Sequence, residues 1–176
     1  MAIKTLILYS TVDGHTTHIC EKLKALLSQQ DHEVEMVEIS DNGSISLDEF
    51  EKVIIGASIR YGNHRPAVID FINENTDKLV KMKTAFFSVN VVARKKEKNQ
   101  PDTNPYVVKF FKKTSWMPTL VEVFGGRLDY QSYSFFDRQM IRLIMLITGG
   151  PTAPDTKVEY TDWDKVDDFG RRLAEM

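Results

Sequence analysis

A cluster of hydroxyl-bearing side chains follows the apolar run of residues 3–9 and precedes a helix-like pattern. This first loop contains, in order, Ser10, Thr11, Val12, Asp13, Gly14, His15, Thr16 and Thr17. Hydroxyls donate hydrogen bonds to anions, glycine allows close backbone approach, and the free amides of a helix N-terminus carry partial positive charge. The loop therefore predicts a cradle for a phosphate monoester. A plain helix cap by Thr16 or Thr17 is the alternative. ATP and NAD are disfavoured, because the loop lacks the lysine or the three-glycine spacing of their binding loops.

A second loop could grip a flat ring. It spans residues 56–65 and includes Ser58, Ile59, Arg60, Tyr61, Gly62, His64 and Arg65. Tyr61 could stack on a planar heterocycle, and the backbone amides bracketed by glycines could bond the polar edge of that ring. A surface loop with an incidental tyrosine is the alternative. His64 could accept a proton, but this is the weaker interpretation of its place, and no catalytic residue is assigned.

A third loop is strongly basic. It begins with Ser88, Val89, Asn90, Val91 and Val92 and continues through Arg94, Lys95, Lys96 and Lys98, with Lys109, Lys112 and Lys113 following. We expect this end of the molecule to be positive and to attract propionates or lipid phosphates; a solvated charge run is the alternative. The whole chain carries 23 basic and 25 acidic side chains, so it has no global field that would attract nucleic acid.

These loops require a scaffold of alternating strands and helices. Apolar or alternating runs predict strands at residues 3–9, 33–39, 52–57, 84–92 and 120–124. Predicted helices begin near Thr16 or Thr17, at Pro66, at Asn104-Pro105 and after Thr161-Asp162-Trp163. A chain of 176 residues fits one domain. The alternation predicts a doubly wound parallel sheet, with ligands at the carboxyl ends of its strands.

Residues 125–160 break this alternation, because a connection of this length is an insertion rather than a simple loop. Ser134 and Asp137 can cap a helix that runs to Ile147 and stops at Gly149. Its apolar surface is wider than a helix on a sheet needs to bury, and Arg138 and Arg142 share one face. A membrane surface, a quinone tail or a tetrapyrrole could cover the excess. Packing on the domain's own core is the alternative.

The remaining features predict no further chemistry. Cys20 is the only cysteine and should pack within the first helix, which favours a reducing, cytoplasmic setting, as does a start that enters a strand directly. His15, His18 and His32 lack metal-ligand spacing and are interpreted as solvated, and no metal is expected. Asn42-Gly43 predicts a turn. No apolar stretch reaches the roughly 20 residues of a membrane-spanning helix.

Taken in order, the three loops resemble the flavodoxin family, whose phosphate loop has the form T-x-T-G-x-T. Asp13 stands in place of the middle threonine, which puts a direct phosphate role for that side chain in doubt. The resemblance narrows at Gly-Ala-Ser-Ile-Arg-Tyr-Gly (56–62), Phe-Ser-Val-Asn-Val-Val-Ala-Arg-Lys (87–95) and Tyr-Thr-Asp-Trp (160–163). Together these are similar to the flavodoxin-type, menaquinone-dependent protoporphyrinogen IX dehydrogenases of bacterial haem synthesis. The similarity covers nearly the whole chain.

This resemblance implies an FMN-binding α/β domain over residues 1–176, with a five-stranded parallel sheet of order 2-1-3-4-5 and a helical insertion before the last helix. It implies oxidation of protoporphyrinogen IX, with electrons passed to menaquinone or ubiquinone at the cytoplasmic face of the inner membrane. The expected FMN ligands are residues 10–17, Ser58 to Gly62, Ser88 to Val92, and Arg94. Expected substrate contacts are Arg65, Lys95, Arg127, Tyr130 and Tyr133, with Arg60 and Arg94 as further partners for the propionates.

Three other functions stay open. A flavodoxin electron carrier would usually be strongly acidic, and this chain is not. An FMN-dependent NAD(P)H:quinone reductase would need a nicotinamide site, for which the sequence gives no sign. A phosphate-binding signalling domain without flavin is the third.

Overall fold

Five long strands, most of them buried, are interspersed with helices along the chain. The computed structural model describes residues 1–39 and 44–176, and the predicted turn at Asn42-Gly43 lies outside the described residues. The strands are β1 (Ile3–Ser10), β2 (His32–Glu38), β3 (Lys52–Arg60), β4 (Asn63–His64), β5 (Lys83–Asn90), β6 (Leu120–Gly125), β7 (Arg127–Asp129) and β8 (Lys157–Glu159). The helices are α1 (His15–Ser28), α2 (Pro66–Glu74), α3 (Thr76–Leu79), α4 (Pro105–Phe111), α5 (Phe135–Thr148) and α6 (Trp163–Glu175).

The central sheet has the predicted flavodoxin-like topology. Its parallel strands lie in the order β2-β1-β3-β5-β6, which is 2-1-3-4-5 for the five long strands. Helices connect β1 to β2, β3 to β5, and β5 to β6, which are pairs of parallel neighbours and need crossover connections. The two-residue strand β4 pairs antiparallel with the end of β3. The sequence did not predict β4, because so short a strand leaves no periodicity.

Each face of the sheet packs against its own helices. On β1, Leu6 and Leu8 enter the core under α2 and α4, while Ile7 enters the core under α1 and α6. Successive side chains of a strand point to opposite faces, so one strand feeds both cores. Cys20 packs within the α1 and α6 core, as predicted.

Helix α1 begins one residue before the predicted caps. Gly14 is its N-cap, with a φ of 81°, and no side chain caps the helix. The prediction that Thr16 or Thr17 caps α1 is therefore wrong, because the left-handed glycine already turns the chain into the helix and leaves Thr16 inside the first turn. At α6 the predicted signal is confirmed, since the Asp162 side chain accepts a hydrogen bond from the Lys165 amide.

Two of the three histidines interpreted as solvated are buried. His15 is 7% exposed and His32 is 6% exposed, whereas the side chain of His18 is exposed. His32 opens β2 and its Nδ1 lies 2.8 Å from the Thr5 hydroxyl on β1. A hydrogen-bonding neighbour on another element thus offsets the cost of burial, and the sequence around His32 carries no sign of it.

The insertion is a small unit of its own. Strands β7 and β8 pair antiparallel, and α5 lies between them in the chain. The predicted ends of α5 are confirmed: the Ser134 hydroxyl accepts from the Asp137 amide, and Gly149 ends the helix with a φ of 73°. Of α5, only Met145 is buried, in a cluster with Leu128, Tyr130 and Tyr133.

The outer face of α5 is apolar and uncovered. Five of its side chains are at least half exposed: Phe135, Phe136, Leu143, Leu146 and Ile147. The described residues contain no helix with the length and hydropathy needed to cross a membrane.

Candidate functional site

All three sequence-predicted loops meet the insertion around one cavity at the carboxyl ends of the parallel strands. The cavity encloses about 810 Å³, including its open mouth. It lies where a doubly wound sheet places its ligand, since the carboxyl ends of β1, β3 and β5 open onto the same edge. Three walls come from the loops, and the fourth comes from β7 and α5.

The first loop brings hydroxyls and a helix N-terminus to the cavity. Thr11, Asp13, His15 and Thr16 line it. The Thr11 hydroxyl accepts a hydrogen bond from the Gly14 amide at 3.0 Å. The Thr16 hydroxyl is buried and has no hydrogen-bond partner among the described residues. Because buried hydroxyls are normally paired, this one fits a ligand oxygen, and the loop fits the phosphate of FMN.

His15 connects the phosphate cradle to Thr161, which follows the last residue of the insertion. Its Nε2 lies 2.6 Å from the Thr161 hydroxyl, which itself donates to the Gly125 carbonyl at 2.6 Å. Since a hydroxyl has one proton to donate, Thr161 must accept from His15, and the neutral ring therefore carries its hydrogen on Nε2. Burial lowers the pKa of His15, although Glu159 opposes this effect. The ring thus stays neutral and ties two chain segments together.

The second loop is a tight hairpin that projects an aromatic ring. Strands β3 and β4 pair through Ile59 with His64 and Arg60 with Asn63. The two linking residues, Tyr61 and Gly62, have φ values of 51° and 77°, as a two-residue hairpin turn demands. Tyr61 and Gly62 line the cavity together with Ser58, Ile59 and Arg60. The Ser58 hydroxyl is buried and unpaired among the described residues, which leaves it available to a bound ring.

Beneath the third loop, a buried polar network fixes its shape. The side-chain oxygen of Asn90 accepts from the Ala93 amide and from the Asn104 side chain, each at 3.0 Å. Asn104 also caps α4 through its side-chain oxygen. Val89, Asn90, Val91, Val92 and Arg94 line the cavity above this network. The predicted ring-binding loop is therefore held rigid before any ligand enters.

His64 belongs to this network rather than to the cavity. Its Nε2 lies 2.9 Å from the Ser88 hydroxyl, and its ring packs edge-on against Phe86 and Phe110. Burial and, to a smaller extent, the charge of Lys113 lower the pKa of His64 to about 3. The imidazole stays neutral, is absent from the lining of the main cavity, and links the second loop to the third. His64 therefore lies outside the cavity in which a proton acceptor for the reaction would have to stand.

The fourth wall is apolar and comes from the insertion. Its lining side chains are Arg127, Leu128, Tyr133, Ile141, Ile144, Met145 and Thr148, with Gly126 and Tyr106 alongside. The four residues from α5 follow the spacing i, i+3, i+4, i+7, which marks one face of a helix. This signal could have identified the wall from the sequence. Tyr106, in the first turn of α4, carries no such signal.

The structure does not bring every predicted site residue to the cavity. Arg127 and Tyr133 line it, but Arg65, Lys95 and Tyr130 do not. Tyr130 is fully buried, and its hydroxyl donates to the Pro151 carbonyl at 2.6 Å. Five of the residues expected to contact FMN also lie outside the lining: Ser10, Val12, Gly14, Thr17 and Ser88.

A charge cluster crosses the mouth of the cavity. The Arg60 guanidinium donates to the Asp13 carboxylate at 2.6 Å and lies 3.6 Å from Asp137 of α5. The Tyr61 hydroxyl donates to the same Asp137 carboxylate. Burial raises the pKa of Asp13, and Arg60 counteracts that rise. Arg60 thus offsets the negative charge that Asp13 brings to the phosphate cradle.

Comparison with known proteins identifies relatives over almost all of the chain. A family model described as a flavodoxin domain matches residues 6–155. Protoporphyrinogen IX dehydrogenase (quinone) of Leishmania major is 44% identical over 174 residues, covering 98% of this chain and 75% of that protein. The protein of the same name from Escherichia coli K12 is 40% identical, covering 99% of this chain and 96% of that protein.

A solved structure supports the fold. Oxidised flavodoxin 1 from Bacillus cereus superposes with a TM-score of 0.56 at 15% identity, covering 98% of this chain and 97% of that one. At this identity the similarity extends to the fold alone.

Proposed function

The chain belongs to the flavodoxin family and, within it, to the protoporphyrinogen IX dehydrogenases (quinone), and from this premise we propose its function. The protein oxidises protoporphyrinogen IX to protoporphyrin IX with FMN as cofactor and passes the electrons to a quinone, within haem biosynthesis. The observation that carries the proposal is the single cavity in which a phosphate cradle, two ring-binding loops and an apolar wall meet.

The residues of the chain divide the work of this reaction. Thr16 and the N-terminal amides of α1 bind the phosphate, because they offer unpaired donors at a positive helix end. Tyr61 and the rigid loop around Asn90 orient the ring, for which Ser58 offers a further donor. When bound, FMN supplies the two-electron chemistry.

The insertion supplies what an electron carrier would not need. The α5 wall of Ile141, Ile144 and Met145 offers an apolar surface to the tetrapyrrole and limits the access of water. Arg127, which is about one-third exposed, borders the same cavity and is a partner for a substrate propionate. An apolar wall beside a cationic rim matches a macrocycle with two carboxylates.

Anaerobic turnover tests the proposal. The FMN-loaded protein is mixed with protoporphyrinogen IX and menadione, and porphyrin fluorescence is followed over time. We expect a rate well above that of free FMN at the same concentration. A rate equal to that of free FMN would contradict the dehydrogenase function and favour an electron carrier.

We also propose that the outer face of α5 rests on the surface of a membrane, on the cytoplasmic side. Its exposed side chains Leu143, Leu146 and Ile147 form an unpartnered apolar patch. Arg94 donates to the carbonyl and the hydroxyl of Thr148, so the basic third loop adjoins the C-terminal end of α5. Apolar side chains beside basic ones favour binding to anionic lipid.

Sedimentation with vesicles tests this docking. The protein should sediment with vesicles containing phosphatidylglycerol, and Leu146→Ser with Ile147→Ser should reduce the bound fraction severalfold. Val80→Ser is the matched control, because Val80 is an exposed apolar residue outside α5. Equal binding by both variants would contradict the docking, whatever the outcome of the turnover assay.

A further inference from the structure

Arg60 lies where the first loop, the second loop and the insertion meet. It lines the cavity, and its side chain is 18% exposed. Its guanidinium lies 5.6 Å from the centroid of the Tyr133 ring in the insertion and 5.8 Å from that of Tyr61. Two carboxylates flank it, Asp13 from the first loop and Asp137 from α5. No other arginine in the described residues bridges these three parts of the cavity wall.

Only one of the two carboxylates accepts a hydrogen bond from the Arg60 guanidinium. One terminal nitrogen, NH2, donates to Asp13 at 2.6 Å. The other, NH1, is buried, lies 3.6 Å from Asp137 and has no hydrogen-bond partner within the described residues. A buried donor without an acceptor is costly, and a guanidinium is shaped to bind a carboxylate through both nitrogens. Arg60 therefore has an unmet donor at the cavity.

Asp137 is stabilised by groups other than Arg60. It accepts from the Tyr61 hydroxyl, and it lies in the first turn of α5, where a carboxylate is favourable. Asp137 thus fastens the start of α5 to the second loop. At the other end of the helix, Arg94 of the third loop holds Thr148. Each ring-binding loop therefore contributes one arginine to an end of α5.

We propose that a carboxylate of the substrate takes the place of Asp137 beside Arg60, so that the macrocycle itself releases the start of α5 and is held by the same guanidinium. The inference rests on the proposed function and names Arg60 as the residue that selects a carboxylated substrate. A propionate that binds NH1 supplies the missing acceptor. Asp137 then gives up both Arg60 and the Tyr61 hydroxyl and turns to solvent, to which it is already one-third exposed.

The selectivity of product binding tests this proposal. Protoporphyrin IX and its dimethyl ester share the ring and differ only in whether free carboxylates are present. Binding of each to the FMN-loaded protein is measured by fluorescence titration, for the wild type, Arg60→Leu, Asp137→Asn and Arg171→Leu. Arg171 is an exposed arginine of α6 and serves as the matched control. FMN affinity is measured separately for every variant.

The expected pattern differs for each variant. The wild type should prefer the diacid over the ester roughly tenfold, since a charge-assisted hydrogen bond is lost with the ester. Arg60→Leu should reduce this ratio severalfold and leave the part that Arg127 contributes, and Arg171→Leu should leave the ratio unchanged. Asp137→Asn should strengthen the binding of both porphyrins by a similar factor. The substitution weakens the contacts of residue 137 with Arg60 and Tyr61, which either ligand must break, and it leaves Arg60 in place.

Two outcomes would overturn the inference while leaving the proposed function intact. The first is a diacid preference that is as large in Arg60→Leu as in the wild type. The second is a loss of FMN affinity in Arg60→Leu with an unchanged ratio, which would assign the free donor to the cofactor. If the wild type neither binds porphyrin nor oxidises porphyrinogen, the proposed function itself fails.

Discussion

The hydroxyl of Thr16 is the residue-scale feature that most directly reports on the phosphate cradle. It is buried at the first turn of α1 and lacks a partner among the described residues. A buried, unpaired hydroxyl costs stability, and a ligand oxygen would remove that cost. The Thr16 hydroxyl, which is unfavourable in the free protein, therefore indicates that a ligand with a hydrogen-bonding oxygen binds there.

Thr16→Val should weaken FMN binding about tenfold while keeping or raising the stability of the free protein, since valine has the same shape without the unpaired group. Flavin fluorescence quenching gives the affinity, and thermal unfolding gives the stability. Thr17→Val is the matched control, because Thr17 lies outside the cavity lining. Equal losses of affinity in both variants would contradict a direct phosphate contact by Thr16.

His64 makes the stability of the molecule sensitive to acid. Its pKa is lowered to about 3 in the fold and is close to 6.5 in an unfolded chain. Between these values the unfolded chain binds a proton that the folded chain does not, so stability falls as the pH drops from 6.5 toward 3. The loss is about 1.4 kcal/mol for each pH unit well inside this window.

His64→Gln should unfold with a shallower dependence on pH between 6 and 4 than the wild type, because glutamine does not titrate. Denaturant unfolding at several pH values measures the slope, and the carboxylates that titrate in the same range are common to both proteins. His18→Gln is the control, since the His18 side chain is exposed and should leave the slope unchanged. Identical slopes for wild type and His64→Gln would show that the buried ring does not limit acid stability.

At the scale of elements, α5 serves two surfaces at once. Its inner side chains Ile141, Ile144 and Met145 complete the cavity, while the apolar side chains of its outer face are at least half exposed. The two arginines of α5 point into the insertion and not toward an external binding partner. Arg138 donates to the Tyr130 carbonyl, and Arg142 donates to the Thr152 carbonyl. The charged groups of the helix thus hold the unit together and leave its apolar faces free.

The insertion can be removed at a defined point. The Tyr160 amide donates to the Gly126 carbonyl at 2.9 Å, so the chain enters and leaves the unit side by side. Replacing residues 127–159 with two glycines should leave the central sheet folded and the FMN phosphate bound through the first loop. Porphyrinogen oxidation should fall to the rate of free FMN, because the apolar wall and Arg127 are gone.

Flavin titration and the anaerobic porphyrin assay measure the two expected results separately. Circular dichroism confirms that the shortened chain folds. Turnover close to that of the full chain would show that the insertion is not part of the substrate site.

The elements were predictable to different degrees, for physical reasons. The five long strands follow from apolar or alternating runs, which are properties of local sequence, whereas their order was implied only by the resemblance to the flavodoxin family. The ends of α5 follow from Ser134 and Gly149, whose capping geometry is local as well. The pairing of β7 with β8 and the contact between Arg60 and Asp137 join segments far apart in the chain. No local pattern encodes where two loops meet, so these features emerge only with the fold.

At the scale of the whole molecule, the two ends of the sheet have different tasks. At the carboxyl ends of the strands lie an open cavity and two buried hydroxyls that have no partner in the part of the chain that the structure describes. At the amino ends, Lys52 opens β3 with a fully buried side chain whose amine donates to the Leu173 carbonyl near the end of α6. Lysine bonded to a terminal carbonyl completes that helix end. The cost of this arrangement is a buried charge.

Lys52 should make the molecule more stable as the pH rises above 8. Burial, together with the smaller effect of the charge of Lys83, its neighbour in register on β5, lowers the pKa of Lys52 to about 8. The unfolded chain holds the proton up to about 10.4, so between pH 8 and that value the unfolded state binds more protons and stability rises with pH.

Denaturant unfolding of the wild type at pH 7.5, 8.5 and 9.5 should show this rise, and Lys52→Met should abolish it. Lys83→Met, which keeps the buried amine and removes its like-charged neighbour, should retain the rise and move it to higher pH. A rise that persists in Lys52→Met would mean that another group carries the effect and that the amino end of the sheet tolerates its buried amine without cost.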